Sequence, residues 1–221
     1  MKATQLTSLI GLLCLAGSAN AATVSVSASA PTVDNADIAN DSGADDAGGD
    51  QGHMWSNRPH QGQSFTTSTN IGGYQLNAVT LKNRNNTSSS GPTFNVLIGT
   101  LSGSTFTQLG STETGVAPSY SPNDYITFTL ATPLTLSANT NYAFLWGSNG
   151  EGFVTANNLD DNTYTGGTGI SSGDDNVPDL NNVIARNVDR VFHLDLVAIP
   201  EPSSVALLGL SGIAFLLRRR R

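Results

Sequence analysis

Between residues 22 and 198 the apolar positions alternate with polar ones over short runs, and no run repeats at the spacing of an amphipathic helix. Thr23 to Ala28 sets Val24 and Val26 against serines. Gln63 to Thr67 centres on Phe65. Tyr74 to Lys82 carries Leu76, Val79 and Leu81, with a change of phase near Ala78 that predicts a bulge. Thr93 to Leu101 puts Phe94, Val96 and Ile98 on one face, and Thr105 to Gly110 follows a Ser-Gly-Ser turn. Tyr125 to Leu130 alternates Ile126, Phe128 and Leu130. Asn141 to Gly147 aligns Tyr142, Phe144 and Trp146, and Phe153 to Asn157 reads as an edge strand. Arg190 to Val197 turns Phe192, Leu194 and Leu196 inward and leaves His193 and Asp195 outward, which predicts a surface role for His193. About nine strands separated by Gly, Asn and Pro turns predict an all-β fold, an antiparallel β-sandwich of jelly-roll-like size. Two stretches, Asp34 to Asn57 and Asn157 to Asn182, are rich in Asp, Asn, Gly and Ser. They read as long loops.

Both ends of the chain break this pattern. Met1 to Ala21 has one charge at Lys2, an apolar run from Leu9 to Ala16 and a small-x-small triplet, Ala19-Asn20-Ala21. That order is a secretory signal peptide cleaved after Ala21, so the Sec translocon and signal peptidase are expected partners. Cys14, the only cysteine, follows Leu13 where a lipoprotein signal needs a small residue. The mature body therefore folds without disulfides.

At the other end, Pro200-Glu201-Pro202 precedes an uncharged run from Ser203 to Leu217, and Arg218, Arg219, Arg220 and Arg221 follow. The prolines cannot sit inside a sheet or a helix interior. The apolar run predicts a short helix of about 23 Å, less than the roughly 30 Å of a bilayer core, which arginine side chains extend by snorkelling. The arginines are expected to stay cytoplasmic, leaving the body outside the inner membrane. The chain thus divides into a signal peptide (1–21), a sandwich ectodomain (22–197), a linker with the Pro-Glu-Pro (198–202) and a short transmembrane helix with its arginine cluster (203–221). This tail resembles the PEP-CTERM sorting signal of Gram-negative bacteria. The resemblance implies processing by an exosortase, a membrane cysteine protease, near Pro200, Glu201 and Pro202. It also implies a transient stay in the inner membrane, a final place at the cell surface or in the extracellular matrix, and an association with exopolysaccharide and biofilm. The segments Gln63 to Thr67, Gly72-Gly73-Tyr74, Val79-Thr80-Leu81 and Pro133 to Tyr142 resemble the choice-of-anchor R ectodomains, a likeness that implies no activity.

Charge sharpens the division. The chain has 10 Lys and Arg against 17 Asp and Glu, but residues 22–199 hold five of the bases and 16 of the acids, a net charge of −11. Such a body repels nucleic acid, whose recognition rests on clustered Lys and Arg. Its acids suggest a calcium site, with Asp41, Asp45, Asp46 and Asp50 in the first loop and Asp160, Asp161, Asp174, Asp175 and Asp179 in the second. Calcium takes several flexible oxygens. The alternative is solvated loop charge, and no EF-hand spacing is present.

Other chemistry is weaker. His53, Trp55, His60 and His193 lack the compact spacing of a zinc site. No Gly-x-Ser-x-Gly elbow occurs, and Glu113 and Glu151 read as loop residues, so a secreted hydrolase is the least favoured reading. Trp55, Tyr120, Tyr125, Trp146 and Tyr164 are the aromatics that could stack on a sugar ring. Trp146 shares its strand phase with core residues, which leaves Trp55 and Tyr164 as candidates for a carbohydrate-binding module. The leading expectation is a non-enzymatic exported protein.

Overall fold

The computed structural model describes residues 21–41, 52–54, 60–84, 91–149, 153–155, 164–172, 178–186 and 188–201. Its elements are β1 (Thr23–Ser27), β2 (Ile38–Asn40), β3 (Gly52–Met54), β4 (His60–Thr66), β5 (Tyr74–Lys82), β6 (Thr93–Ser102), β7 (Thr105–Val116), β8 (Tyr125–Leu136), β9 (Asn141–Asn149), β10 (Phe153–Thr155), β11 (Gly169–Ser172), β12 (Val183–Ala185) and β13 (Phe192–Ala198). A five-stranded sheet runs β1-β8-β5-β13-β2, and a six-stranded sheet runs β12-β11-β4-β9-β6-β7. β10 and β3 form a separate pair. Every pairing is antiparallel. From β2 onward the chain crosses repeatedly between the two sheets, giving β2-β13-β5-β8 on one side and β4-β9-β6-β7 on the other, the strand exchange of a jelly roll.

Alternation sets the core. Leu76, Val79 and Leu81 from β5, Ile126 and Phe128 from β8 and Leu194 from β13 meet Phe65, Phe94, Phe144 and Trp146 from the other sheet, all fully buried. Trp146 lies edge-on to both Phe94 and Phe128, with centroids 5.3 and 5.8 Å away. The outer face of the six-stranded sheet carries a second apolar cluster of Leu97, Phe106, Ala143, Leu145, Ile170 and Val183. It is roofed by the segment before β12, where Phe106 N–H donates to the Leu180 carbonyl (2.7 Å) and Val183 N–H to that of Ser104 (2.8 Å).

Several strand limits differ from the pattern, each for a physical reason. The bulge predicted near Ala78 lies between Leu76 and Ala78, opposite the stretch of β8 between Thr129 and Leu134. That stretch holds Pro133, whose missing N–H is tolerated where the ladder is interrupted. β8 therefore continues through Leu136 and does not stop at Leu130. β7 likewise runs on to Val116, so Glu113 is a strand residue and not a loop residue. Its Oε2 accepts the Ala131 N–H at 2.6 Å, satisfying the β8 irregularity across an open cavity of about 310 Å³. The two long loops are not wholly structureless: β2 and β3 lie within the first and β11 within the second. Signal peptide residues 1–20, the apolar tail from Ser203 and its arginines lie outside the described residues. Among the described residues no helix is long and apolar enough to cross a membrane.

Candidate functional site

The C-terminal exit is the best-defined feature with a bearing on function. β13 is a central strand, paired with β5 on one side and β2 on the other, and it ends at Ala198. The next residue is still held. Ile199 N–H donates to the Gly73 carbonyl at 3.0 Å, and Asn70 Nδ2 donates to the Ile199 carbonyl at 2.9 Å and to the Gly73 carbonyl. Asn70 N–H in turn donates to the Tyr74 hydroxyl (3.2 Å). The turn needs its glycines. Gly73 sits at φ +79, where a side chain is strained, and a Cβ on Gly72 would lie 2.3 Å from the Ile199 oxygen. Pro200 and Glu201 emerge from this clamp exposed. The Asn70-Ile71-Gly72-Gly73 sequence signals a turn, but only the fold shows that it grips the far end of the chain.

Two neighbouring turns tie into the same end. Thr67 Oγ1 donates to the Ser137 carbonyl (2.6 Å), Asn139 N–H to the Ser68 carbonyl (2.9 Å) and Thr66 Oγ1 to the Gly166 carbonyl (3.1 Å). At the start of the chain, Ala21 is exposed and β1 begins at Thr23.

His193 corrects the surface reading. It does point to the outer face of the five-stranded sheet, but residues 31–37 cross that face and leave it 7% exposed. His193 Nε2 lies 3.0 Å from Asp37 Oδ2. Asp37 Oδ1 accepts the Leu196 N–H (2.8 Å), at the point where the β13–β5 register shifts. Asp37 Oδ2 also accepts the Asp34 N–H (2.8 Å). Asp34, Asp37, His193 and Asp195 line a polar cleft of about 280 Å³ together with Thr80, Thr127 and Thr129. The Thr80 and Thr127 hydroxyls bond each other at 2.8 Å. The Asp37 contacts account for a latch between the N-terminal segment and β13.

His60 is the reverse case. It opens β4, is 3% exposed, and packs its ring where a Cβ on Gly147 would lie, 2.2 Å from Nε2. Its Nδ1 is buried without a hydrogen bond, and burial lowers its pKa to about 4. A neutral imidazole in such a place packs as a core ring.

Polar residues also reach the interior. Asp189, fully buried, accepts bonds from Gln63 Nε2 and from Tyr164 N–H, both 2.8 Å. Arg190 N–H donates to Gln63 Oε1 (3.0 Å), Arg190 Nη2 donates to Gln61 Oε1 (2.7 Å), and Asn40 Nδ2 donates to the Arg190 carbonyl (3.0 Å). Tyr164 stands edge-on to Phe192, 5.2 Å between centroids. Burial pushes its hydroxyl up to about 12; the backbone bond at Thr66 opposes this, and the charge of Asp189 adds to it. It is thus packed against the core and does not stand free in a loop. Tyr120 and Trp146 are buried in the same core. Tyr125 donates its hydroxyl to Asp41 Oδ1 (2.9 Å), and Asp41 is exposed. Asp45, Asp46, Asp50, Asp160, Asp161, Asp174, Asp175, Trp55, Glu151, Pro202 and the arginines lie outside the described residues. His53 is placed by its backbone in β3, opposite Val154. Among the described residues no cluster of three or more His, Cys, Asp or Glu is arranged to hold a metal ion.

Residues 198–221 match the family model of the PEP-CTERM protein-sorting motif. Comparison with curated proteins gives no match. Among solved structures, the chain is similar to a clostridial cysteine protease after propeptide cleavage, at 14% identity and a TM-score of 0.45. That match covers 66% of this chain and 37% of the other. It is also similar to the cysteine protease and lectin-like domains of a surface layer associated protein of Clostridium difficile, at 12% identity and a TM-score of 0.44. There 68% of this chain and 36% of the other are covered. The chain spans just over a third of those structures, and a likeness of this strength assigns no activity. The C-terminal match supports an exported protein targeted by an exosortase.

Proposed function

We propose that the chain is a non-enzymatic β-sandwich ectodomain delivered through the PEP-CTERM route. Sec export removes the signal peptide after Ala21. The tail then holds the precursor in the inner membrane until an exosortase acts near Pro200-Glu201-Pro202. The body ends on the cell surface or in the extracellular matrix, associated with exopolysaccharide. For the body itself the reading is a choice-of-anchor R ectodomain, supported by the Gly72-Gly73-Tyr74 turn at the head of β5.

One observation carries this reading: the sorting motif begins at residue 198, where β13 ends, so sandwich and signal adjoin with no intervening domain. Replacing Pro200, Glu201 and Pro202 with alanine should leave unprocessed precursor in the inner membrane, seen by fractionation and mass spectrometry of the C-terminus. Normal processing and release of that variant would overturn the proposal.

A further inference from the structure

The end of the sandwich that holds the sorting tail differs in chemistry from the rest of the body. Three turns surround the exit, residues 67–73, 137–140 and 165–168, and none contains Asp, Glu, Lys, Arg or His. They are built from Ser, Thr, Asn, Gly and Ala, plus one isoleucine. In a body with a net charge of −11 these three turns carry no charge, and Glu201 is the first acid after the exit. That isoleucine, Ile71, is 80% exposed at the tip of the turn that clamps Ile199, and Val197, two residues before the clamp, is 50% exposed. Ile71 is the most exposed large aliphatic side chain among the described residues, ahead of Val116 (67%) and Val33 (56%), which lie elsewhere on the body.

Distance makes the placement matter. Ile199 is pinned by Asn70 and Gly73. Only Pro200, Glu201 and Pro202 separate it from Ser203 and the uncharged run, which at full extension is about 14 Å. The polar layer on each side of a bilayer core is itself about 5–8 Å deep. A tail inserted in a membrane therefore keeps this end of the sandwich within reach of the headgroups. An end as acidic as the rest of the body, held there, would be repelled by anionic lipid. Hydroxyl and amide side chains with one exposed aliphatic tip suit the interface between water and headgroups.

We propose that the turns around the exit form a membrane-facing foot. The lipid surface that receives the tail is its occupant, and Ile71 enters the interfacial layer. The inference rests on the reading of residues 203–221 as a membrane-inserted tail. It predicts a fixed posture for the precursor: strands upright, the Thr67 to Gly73 turn down, and the end bearing Ser29 and Asn123 facing away from the bilayer. Such a posture presents Pro200 and Glu201 at the height of the membrane surface.

The test uses residues 22–221, the chain that signal cleavage leaves, which contains no cysteine. It is reconstituted in vesicles of phosphatidylethanolamine and phosphatidylglycerol. Single variants Ile71→Cys, Ser29→Cys and Ser211→Cys carry an environment-sensitive fluorophore, read with and without brominated lipid. All three substituted side chains lie on exposed turns or in the tail, where a cysteine is tolerated. The expected result is a blue-shifted, strongly quenched probe at 71 and at 211, and an unshifted, unquenched probe at 29. Quenching at 211 with none at 71 overturns the foot alone and leaves the tail reading intact. No quenching at 211 overturns the tail reading, and the foot with it. Equal quenching at 71 and 29 also overturns the foot, since the body then has no preferred end.

Discussion

Acidification should destabilise this fold through His60, and the size of the effect follows from its burial. The ring is 3% exposed, has no partner at Nδ1, and holds its proton only below about pH 4, against an ordinary value of 6.5. Between those values the unfolded chain binds a proton that the folded chain refuses. Unfolding is therefore favoured as pH falls, beginning near 6.5 and levelling off near 4. The stability present above pH 6.5 declines across that window by a total of about 3 kcal/mol, at up to roughly 1.4 kcal/mol per pH unit. His60→Phe keeps a ring over Gly147 and removes the titration. Urea unfolding followed by tryptophan fluorescence, at steps from pH 7 to pH 4, gives both curves. Every other ionisable group is common to both proteins and cancels in the difference. The variant should lose markedly less stability than the parent on acidification. Parallel curves would refute the argument, because they would mean that His60 titrates normally in the folded protein.

Other expectations follow from the packing. Trp146→Ala removes the ring between Phe94 and Phe128 and should cost about 3–5 kcal/mol, read as a lower urea midpoint with an unchanged slope. Asn70→Ala removes two donors from the exit clamp and should cost about 1–2 kcal/mol, with faster amide exchange at Ile199 as its local signature. Gly62→Ala places a Cβ 1.8 Å from the Phe144 carbonyl oxygen, where no flexible side chain can yield, and should cost about 3 kcal/mol in a thermal melt. Gln63→Leu leaves Asp189 Oδ1 and the Arg190 amide without their Gln63 partner in the interior and should cost several times more than Gln75→Leu at an exposed position, about 3 kcal/mol against near zero.

The aliphatic and aromatic face of each strand was legible because alternation is a direct imprint of one buried face. Phe94, Val96 and Ile98, or Tyr142, Phe144 and Trp146, need no other information. What escaped were buried positions with polar side chains. Gln61 and Gln63 look like solvent residues until Arg190 and Asp189, more than 120 positions away, are seen to satisfy them. His60 to Gly62 was missed as strand for the same reason. His193 alternates outward as read, yet a segment 156 residues earlier covers it, and periodicity within one strand carries no record of such a cover. The short strands β2, β11 and β12 hold three or four residues each, too few for a period to register. The sorting tail was legible for the opposite reason. Its zones are defined by composition in a fixed order, and no distant contact is needed to see them.

The place of β13 in its sheet has a consequence for the order of events during secretion. It is the last strand among the described residues, yet it lies in the interior of the five-stranded sheet, and β2 has it as a sheet partner. On the Sec route proposed above, a chain emerging amino end first can assemble β4 to β9 early, but the β5–β13–β2 seam stays open until residue 198 has crossed the membrane. By then the next residues to arrive are the tail itself. If the tail is held as proposed, completion of the sandwich and arrival of the sorting motif fall at the same moment, and folding is timed by the passage of the segment that the exosortase reads.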